Sequence, residues 1–268
     1  MIFLLLIFIG VFTGILAGIF GIGGGILFTP ILFFLFTSMG LEQAVAWTIG
    51  TSLFCTFSAA VSSSMQQIIQ RNSFLAEGAL VGLFGAVGIY VGKQISTSAF
   101  YTESLFVSLF AILLLFVSWL FYLRGKPGVS EPESEEPVLV KKSLVTGLGG
   151  GFIAALAGVG GGVVMVPVLN LWFKINIAKA VSISSLAILI ISLSGWLQFA
   201  FLSEPARGAT SYTIGFVDFG TGLPLIAGAF AGGFLGVHIG RKLSQGYRQM
   251  AFSLLAAIVA ILMVYSIF

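Results

Sequence analysis

The chain contains the same glycine-rich motif twice, once in each half. The first copy reads Gly-Ile-Gly-Gly-Gly at positions 21–25 and is followed by Pro30, and the second reads Gly-Val-Gly-Gly-Gly at positions 158–162 and is followed by Pro167. A shift of 137 positions superposes the two motifs together with several flanking residues. The chain is therefore an internal duplication. Glycine motifs that interrupt apolar sequence at corresponding places in two halves are the best sequence indication of a binding site in a secondary transporter.

The composition requires a membrane protein. Hydrophobic residues make up 58% of the 268 residues, charged residues make up 8%, and the mean hydropathy is +1.13. The longest apolar segments exceed the length of about 20 residues that spans a bilayer as a helix, and they lack the alternation of a transmembrane barrel. A single cysteine and a single histidine give no cluster for a metal ion, so we expect no metal site and no cofactor. The net charge of +3 comes from scattered basic residues, and we expect no nucleic-acid partner.

One polar segment divides the chain into two parts. Residues 124–142 contain three prolines and four glutamates, a composition typical of a flexible linker. We therefore predict an N-terminal transmembrane repeat at 1–123, a cytoplasmic linker at 124–142 and a C-terminal transmembrane repeat at 143–268. Each repeat has about five apolar helical segments, which are 2–20, 24–36, 44–69, 74–95 and 105–123 in the first, and 143–157, 161–173, 180–202, 214–239 and 249–268 in the second.

Some of these helical segments are too short to cross a membrane. A helix rises about 1.5 Å per residue, so the segments 24–36, 143–157 and 161–173 do not reach a full span. All three lie beside a glycine motif. We therefore expect an all-α polytopic membrane protein in which helices are broken at the glycine-rich motifs and the short pieces are half-helices.

The basic residues favour a chain that turns back at each glycine motif. If the chain passed straight through both motifs, the twelve basic residues would be divided six and six between the two sides of the membrane. If it turns back, ten lie on one side and only Lys93 and Arg207 lie on the other. Lysine and arginine concentrate in cytoplasmic loops, so the second arrangement is favoured. It places both termini outside the cytoplasm, places the linker inside it, and makes the two halves inverted repeats.

The triple glycines of the two motifs are the first candidates for a substrate site. They are Gly23, Gly24, Gly25, Gly160, Gly161 and Gly162. Glycine adopts left-handed conformations and lets a ligand approach the main chain closely. A helix that begins after each motif would present unpaired N–H groups at the positive end of its dipole, which suits an anion. The alternative is that small residues only allow helices to pack tightly, and we favour that alternative for the pairs Gly88/Gly92 and Gly236/Gly240.

These motifs resemble the TauE/SafE family of sulfite exporters, also called toluenesulfonate uptake permeases. The resemblance covers all of the chain except the linker, and it rests on residues 17–25 with Pro30, on Gly50-Thr51-Ser52-Leu53, and on their counterparts at 158–167 and 184–186. Family members move small sulfur-containing anions such as sulfite, sulfonates and sulfoacetate across the bacterial inner membrane. The resemblance therefore implies a permease for a sulfur oxyanion or organosulfonate in the cell inner membrane. One departure is Ile183, which stands where the first half has Gly50.

Four hydroxyl side chains are further candidates for substrate binding. They are Thr51, Ser52, Ser184 and Ser185, near the start of the long segments that follow the motifs. Hydroxyl groups accompany helix N–H groups naturally around an oxyanion. The alternative is that these side chains bond to their own helix backbone or to a neighbouring helix. Glu77 and Asp218 could couple transport to protons, but both stand near predicted segment ends, where we expect an interfacial position.

Two other functions compete with a carrier. An intramembrane serine hydrolase would pair Ser194 with His238, but nothing in the spacing brings a nucleophile, a base and an oxyanion hole together. We therefore expect no enzyme. An anion channel is the more serious alternative, because helix dipoles directed at a pore also select anions, and a carrier of a different small anion or metabolite is another. The sequence leaves open a coupling proton or sodium ion, contacts with membrane lipid, and a homo-oligomer.

Overall fold

The computed structural model describes residues 2–20, 25–69, 74–124, 138–202 and 208–266. Within these residues eight helices are long and apolar enough to cross a membrane, and two further apolar helical segments are shorter. The predicted all-α polytopic membrane fold is therefore confirmed. The helices are α1 Ile2–Phe20, α2 Gly25–Ser38, α3 Ala44–Ile69, α4 Leu75–Ser96, α5 Glu103–Arg124, α6 Val140–Ala157, α7 Gly162–Pro167, α8 Ile177–Ala200, α9 Phe219–Lys242 and α10 Gln245–Tyr265.

Two of the three predicted half-helices are short in the structure. The segment 24–36 forms α2, and the segment 161–173 forms α7 followed by a π-helical turn, Val168–Trp172. The segment 143–157 extends further towards the N-terminus than predicted and becomes α6, which is among the eight helices long enough to span. Residues 125–137, most of the predicted linker, lie outside the described residues.

A β-hairpin precedes α9 where the sequence predicts the beginning of a helix. Its strands, β1 Thr213–Ile214 and β2 Val217–Asp218, pair antiparallel. Gly215, between the strands, has a φ of +52°, a left-handed value that glycine adopts readily. Asp218 then begins α9 by accepting a hydrogen bond from the Thr221 N–H (2.9 Å). This side-chain cap satisfies one of the unpaired N–H groups of the helix start.

The helices pair across the two halves in a matched pattern. The first helix of each half packs against the fourth helix of the other, so that α1 contacts α9 and α6 contacts α4. The third helices, α3 and α8, contact each other, as do the fifth helices, α5 and α10. At the last contact Ser118 donates to the Ser253 carbonyl oxygen, and Ser253 donates to the Ser118 carbonyl oxygen, both at 2.8 Å. The two serines therefore join α5 and α10 through a reciprocal pair of hydrogen bonds.

α3 lies at the centre of the molecule and runs antiparallel to α8. Gly50, near the start of α3, faces Phe199, near the end of α8. Ser64, near the end of α3, donates a hydrogen bond to the carbonyl oxygen of Ser185, near the start of α8 (3.0 Å). The corresponding long helices of the two halves therefore point in opposite directions.

α2 begins in the middle of the helix bundle and runs back along α3. Its first residue, Gly25, lies beside Thr56, in the middle of α3, while Phe36 contacts Trp47 near the start of α3 with ring centroids 6.5 Å apart. α7 also begins at mid-height, because Gly162 lies against Ile188, in the middle of α8. Each half therefore contains a helix that starts near the midplane of the bundle.

Glycine lines the contact between α1 and α9 and the contact between α4 and α6. Along α1, Gly10 faces Leu225 and Gly18 faces Val237, so α1 and α9 run in parallel with their backbones close together. Cβ atoms placed on Gly88, Gly92, Gly236 and Gly240 would each meet the backbone of the opposing helix within 3 Å. The interpretation of those glycine pairs as packing positions is therefore confirmed.

Two glycines on the α1–α9 contact are predicted to differ sharply in their tolerance of alanine. A Cβ on Gly14 would collide with the backbone of Ala229, whereas a Cβ on Gly233 would meet only the Gly14 carbonyl oxygen at 3.9 Å. Gly14→Ala should therefore destabilise the protein by about 1–3 kcal/mol, the usual range for overpacking. Gly233→Ala should leave the melting temperature unchanged. Thermal unfolding of both variants in detergent checks this, and equal effects would contradict the packing described here.

Candidate functional site

The start of α2 and the second glycine motif touch each other at mid-height. A Cβ placed on Gly25 would lie 2.8 Å from the Val159 carbonyl oxygen and 2.9 Å from Thr56 Oγ1. The third glycine of the first motif is thus in contact with the second motif and with the middle of α3. Gly23 and Gly24 lie outside the described residues.

The second motif uses glycine because the backbone is left-handed there. Gly158, Gly160 and Gly161 have φ values of +70°, +69° and +79°. Gly158 ends α6, and its N–H donates to the Ala154 carbonyl oxygen (2.8 Å). Gly161 caps α7, with its Cα packed so closely on Gly150 that no side chain fits. A residue with a Cβ disfavours this conformation, so the sequence of three left-handed glycines is a structural requirement.

Side chains close the carbonyl end of α6. The Tyr101 hydroxyl donates to the Leu156 carbonyl oxygen (2.9 Å), and Ser52 donates to the Gly158 carbonyl oxygen (2.8 Å). Burial raises the pKa of Tyr101, so the phenol stays protonated and continues to donate. A helix leaves the carbonyl groups of its last turn unpaired, and burying them without hydrogen-bond partners costs free energy. Tyr101 and Ser52 supply partners for two of these carbonyl groups.

Ser52 links the second motif to α2. In addition to its bond to Gly158, Ser52 Oγ lies 2.8 Å from Thr29 Oγ1, which also lies 3.1 Å from the Gly25 carbonyl oxygen. The single hydroxyl proton of Thr29 can go to either oxygen, and when it goes to Ser52 a hydrogen-bond chain runs from α2 to the end of α6. The hydroxyl proton of Ser52 is engaged in this chain.

Thr51 faces the β-hairpin instead of the glycines. Its Oγ1 accepts a hydrogen bond from the backbone N–H of Asp218 (3.0 Å). The Asp218 carboxylate accepts from the Thr210 N–H (2.8 Å), the Thr210 hydroxyl (2.6 Å) and the Thr221 N–H. Asp218 is completely buried and stands directly before α9, at the end of a helix long enough to span the membrane. The carboxylate holds the hairpin together and fixes it to α3.

The two serines of the second half have different surroundings from their first-half counterparts. Ser185 donates to the Val181 carbonyl oxygen of its own helix (2.8 Å). Ser184 is buried, and its hydroxyl has no hydrogen-bond partner within the described residues. Beside Gly162 the structure places the apolar side chain of Ile188, and beside Gly160 it places Thr56 of the first half together with Ile188. The polar contacts around the second motif therefore come from the first half of the chain.

Thr56 lies at the junction of the motifs and was missed by the sequence reasoning. It is 4% exposed, and its Oγ1 has no hydrogen-bond partner among the described residues. Its position was recoverable from the sequence, because it stands four residues after Ser52 and hence on the same face of α3. Of the four candidate hydroxyls, the structure brings Ser52 to the glycines and Thr51 next to them on the hairpin side, and it adds Thr56.

An ion pair between a buried lysine and a partly buried glutamate marks one end of the helix bundle. Lys179 Nζ, at the start of α8, lies 3.1 Å from Glu77 Oε1 at the start of α4. The same carboxylate oxygen accepts a hydrogen bond from the Val138 N–H (3.0 Å). Glu77 therefore joins both halves beside the end of the linker. The sequence predicts only its position near a segment end, not these contacts. Among the described residues, no group of three or more His, Cys, Asp or Glu side chains could hold a metal ion.

A cavity of about 500 Å³ lies on the linker side of the two motifs. It is partly open and is lined by residues of α1, α2, α3 and α9. Its inner end reaches Phe28, in the first turn of α2, and Cys55, the neighbour of Thr56. Its polar wall is formed further along by Ser62, Ser63, Gln66 and His238. The volume falls within the range of about 300–1,000 Å³ that is typical of small-molecule sites.

Aromatic side chains fill the opposite side of the motifs. Phe54 lies between Phe219 and Trp196, with ring centroids 4.8 and 5.7 Å away. Trp47 contacts Phe216 of the hairpin at 5.5 Å. These rings come from α3, α8, the hairpin and α9, so they connect elements of both halves. The protein is therefore hollow on the linker side of the motifs and packed on the other.

The comparisons with known proteins agree with this architecture. The sequence model of the family described as Sulfite exporter TauE/SafE matches residues 6–263. The chain belongs to the TauE/SafE family. This TauE/SafE protein is 28% identical to a probable membrane transporter protein of Methanocaldococcus jannaschii over 97% of its own length and 94% of that protein. It is also 28% identical to the probable membrane transporter protein YunE of Bacillus subtilis, over 98% and 97% of the two chains.

The family membership decides between an enzyme and a transporter. A probable membrane transporter protein of Haemophilus influenzae is a further relative, 25% identical over 96% of each chain. The family and these relatives are named as transporters, so the TauE/SafE protein is a multi-pass membrane transporter and not an enzyme. The serine of the rejected hydrolase pair is also engaged elsewhere, because Ser194 Oγ accepts a hydrogen bond from Gln198 Nε2 (2.9 Å).

The left-handed glycines of the second motif lead to a prediction about stability. Gly161→Ala places a side chain at a φ of +79° and against the backbone of Gly150. The conformational strain alone costs about 1–2 kcal/mol, so the melting temperature in detergent should fall. Gly149→Ala is the matched control, because a Cβ on Gly149, in the interior of α6, meets nothing within 4 Å.

The control should melt at the same temperature as the wild type or higher, since alanine favours a helix interior by about 1 kcal/mol over glycine. A Gly161→Ala variant as stable as the Gly149→Ala variant would contradict the conformation described for the motif.

Proposed function

We propose that this TauE/SafE protein is a secondary transporter that carries a small sulfur-containing anion, such as sulfite or a sulfonate, across the inner membrane by alternating access. One observation carries the proposal: α2 begins at Gly25, at mid-height, beside the inner end of the cavity. The first N–H groups of a 14-residue helix stand at the positive end of its dipole and attract an anion. Transporters with broken helices bind anionic groups in this way.

The nature of the anion comes from the family. The matching family is described as a sulfite exporter, and sulfite and sulfonates are compact oxyanions that accept several hydrogen bonds. The main-chain donors at the start of α2 and the polar wall of the cavity suit such a cargo. A sulfur oxyanion or organosulfonate is therefore the cargo class that we propose, with a proton or sodium gradient as the driving force.

The two halves are, in this proposal, inverted repeats with a pseudo-two-fold axis in the membrane plane. The antiparallel course of α3 and α8 and the reciprocal Ser118–Ser253 bonds support that relation. The basic residues support the orientation of the linker towards the cytoplasm. Lys141, Lys142, Lys174, Lys179, Lys242 and Arg248 lie at helix ends on the linker side, and Lys93 lies at the opposite end.

The proposed orientation predicts which sites an impermeant thiol reagent reaches from outside intact cells. In a protein without its own cysteine, made by Cys55→Ser, Glu133→Cys in the linker should stay unlabelled until the cells are permeabilised. Ala99→Cys is the matched control, since Ala99 is exposed in the loop at the other end of the bundle. It should be labelled at once. Labelling of Glu133→Cys but not of Ala99→Cys in intact cells would reverse the orientation.

Alternating access is supported by the difference between the two sides of the motifs. The cavity gives access from the linker side, while the rings around Phe54 pack the other side. A carrier needs such one-sided access in each of its states, whereas an open channel needs a continuous path. Rocking of one set of helices against the other would exchange the open and closed sides.

Counterflow in proteoliposomes tests both the carrier mechanism and the cargo. Vesicles preloaded with unlabelled sulfite should transiently accumulate ³⁵S-sulfite above its external concentration, because a carrier exchanges one anion for another. Thiosulfate, taurine and sulfoacetate serve as alternative loads, and imposed proton and sodium gradients identify the coupling ion. Equilibration without an overshoot would indicate a channel. Transport of an anion without sulfur, with all four sulfur compounds inactive, would contradict the proposed cargo.

A further inference from the structure

We infer that Thr56 supplies the side-chain hydroxyl that binds the cargo anion at the start of α2, and that Ser52 holds the two motifs together without touching the cargo. The inference rests on the proposed function, because it assigns one further residue to the same anion site. Thr56 is not among the four hydroxyls that the sequence predicts as substrate contacts.

The Thr56 hydroxyl lies beside the first residue of α2. Oγ1 lies 2.9 Å from the place that a Cβ on Gly25 would occupy. Gly25 is the first residue of α2, so the hydroxyl stands next to the N–H groups that begin the helix. The neighbouring residue on α3, Cys55, lines the cavity. An anion that enters along the cavity and reaches the start of α2 would therefore meet Thr56.

The Thr56 hydroxyl is buried, and none of the described residues pairs with it. Thr56 is 4% exposed, and its Oγ1 makes no hydrogen bond within the part of the chain that the structure describes. A threonine in a helix usually bonds back to its own turn, as Thr29 does with the Gly25 carbonyl oxygen. Thr56 does not. Buried hydroxyl groups are unfavourable unless something pairs with them, and a bound oxyanion would be that partner.

The other hydroxyls in contact with α2 and the second motif are already engaged. Ser52 gives its proton to the Gly158 carbonyl oxygen at 2.8 Å. Thr29 Oγ1 lies within hydrogen-bond distance of Ser52 Oγ and of the Gly25 carbonyl oxygen, and Thr51 faces the hairpin, where its Oγ1 accepts from the Asp218 N–H. Binding of cargo by Ser52 would require the link between α2 and α6 to open. Thr56 can donate without breaking any described bond.

The two halves differ at the starts of their short helices. When Thr51-Ser52 is superposed on Ser184-Ser185, Thr56 corresponds to Leu189. Gly162, the first residue of α7, lies against Ile188, which cannot donate a hydrogen bond, whereas Gly160 lies against both Thr56 and Ile188. The duplication therefore provides one helix start with a hydroxyl beside it and one with an apolar side chain beside it, and the anion belongs to the first. A single site built mainly by the first half follows from this.

The test compares two threonines on the same helix. Thr56→Val keeps both branches of the side chain, including the contact of Cγ2 with Gly160, and removes only the hydroxyl. Thr48→Val is the matched control, because Thr48 is completely buried and its hydroxyl also has no partner among the described residues. Thr48 lies two turns before Thr56, away from the start of α2. Both variants are reconstituted as full-length protein, and KM is measured for ³⁵S-sulfite counterflow.

Thr56→Val should raise KM at least about tenfold, the effect of losing a hydrogen bond to a charged group. Its melting temperature without sulfite should match that of the wild type. Thr48→Val should leave KM unchanged, and Thr56→Ser, which retains the hydroxyl, should have a KM close to the wild-type value. Ser52→Ala should lower the melting temperature, because it breaks the link between the motifs.

Several results would overturn the inference. One is an unchanged KM in Thr56→Val, and another is an equal rise in KM in Thr56→Val and Thr48→Val. If Thr56→Val does not fold, Thr56→Ser and Thr56→Ala are compared instead, and equal KM values for those two would overturn the role of the hydroxyl. A wild type that shows no sulfite counterflow would overturn the proposed cargo and the assignment together, whereas the other results concern Thr56 alone.

Discussion

A helix that ends inside a membrane leaves main-chain groups without water to bond to, and the arrangement of this protein depends on how those groups are satisfied. At the end of α6 the carbonyl oxygens are paired with side chains from other helices, Ser52 and Tyr101. At the start of α2 a cavity reaches Phe28, in the first turn of the helix. The negative end of one interrupted helix is thus closed by the protein, and in the proposed site the positive end of another binds the cargo. Because Ser52 also lies within hydrogen-bond distance of Thr29 of α2, the end of α6 and the start of α2 are joined.

The matched packing of the halves provides a rigid frame around this centre. The contacts of α1 with α9 and of α4 with α6 join the first helix of each half to the fourth helix of the other through backbones in close contact. Glycine at those contacts allows main chains to approach closely and limits their freedom to shift sideways. The two sides of the centre nevertheless differ, with a cavity on one and aromatic rings on the other. In the proposed cycle, the matched helix contacts of the two halves allow two equivalent arrangements, one open to each side of the membrane. With its cavity on the linker side, this structure corresponds to the arrangement that is open to that side.

The sequence was sufficient for the helices and the glycines, but not for the polar contacts. The segment 44–69 coincides with α3, Ala44–Ile69, because hydropathy reports directly on which residues avoid water. The left-handed turn at Gly158–Gly162 was foreseeable because only glycine adopts those angles easily. The hairpin before α9 was missed because its residues are as apolar as those of a helix. The surroundings of Asp218 and Thr56 depend on neighbours more than 100 positions away. The backbone N–H of Asp218 bonds to Thr51, and the side chain of Thr56 packs on Gly160. Patterns along one segment cannot reveal such contacts.

The most direct measurement of the central claim is a thermal-shift panel on the purified wild-type protein in detergent, with sulfite, thiosulfate, sulfate, taurine, sulfoacetate and chloride. A ligand present at about a hundred times its Kd stabilises the folded state by about 2.7 kcal/mol, which gives a clear shift in melting temperature. The account predicts stabilisation by one or two of the sulfur anions and none by chloride. No shift with any sulfur anion, together with stabilisation by a compound that lacks sulfur, would contradict it.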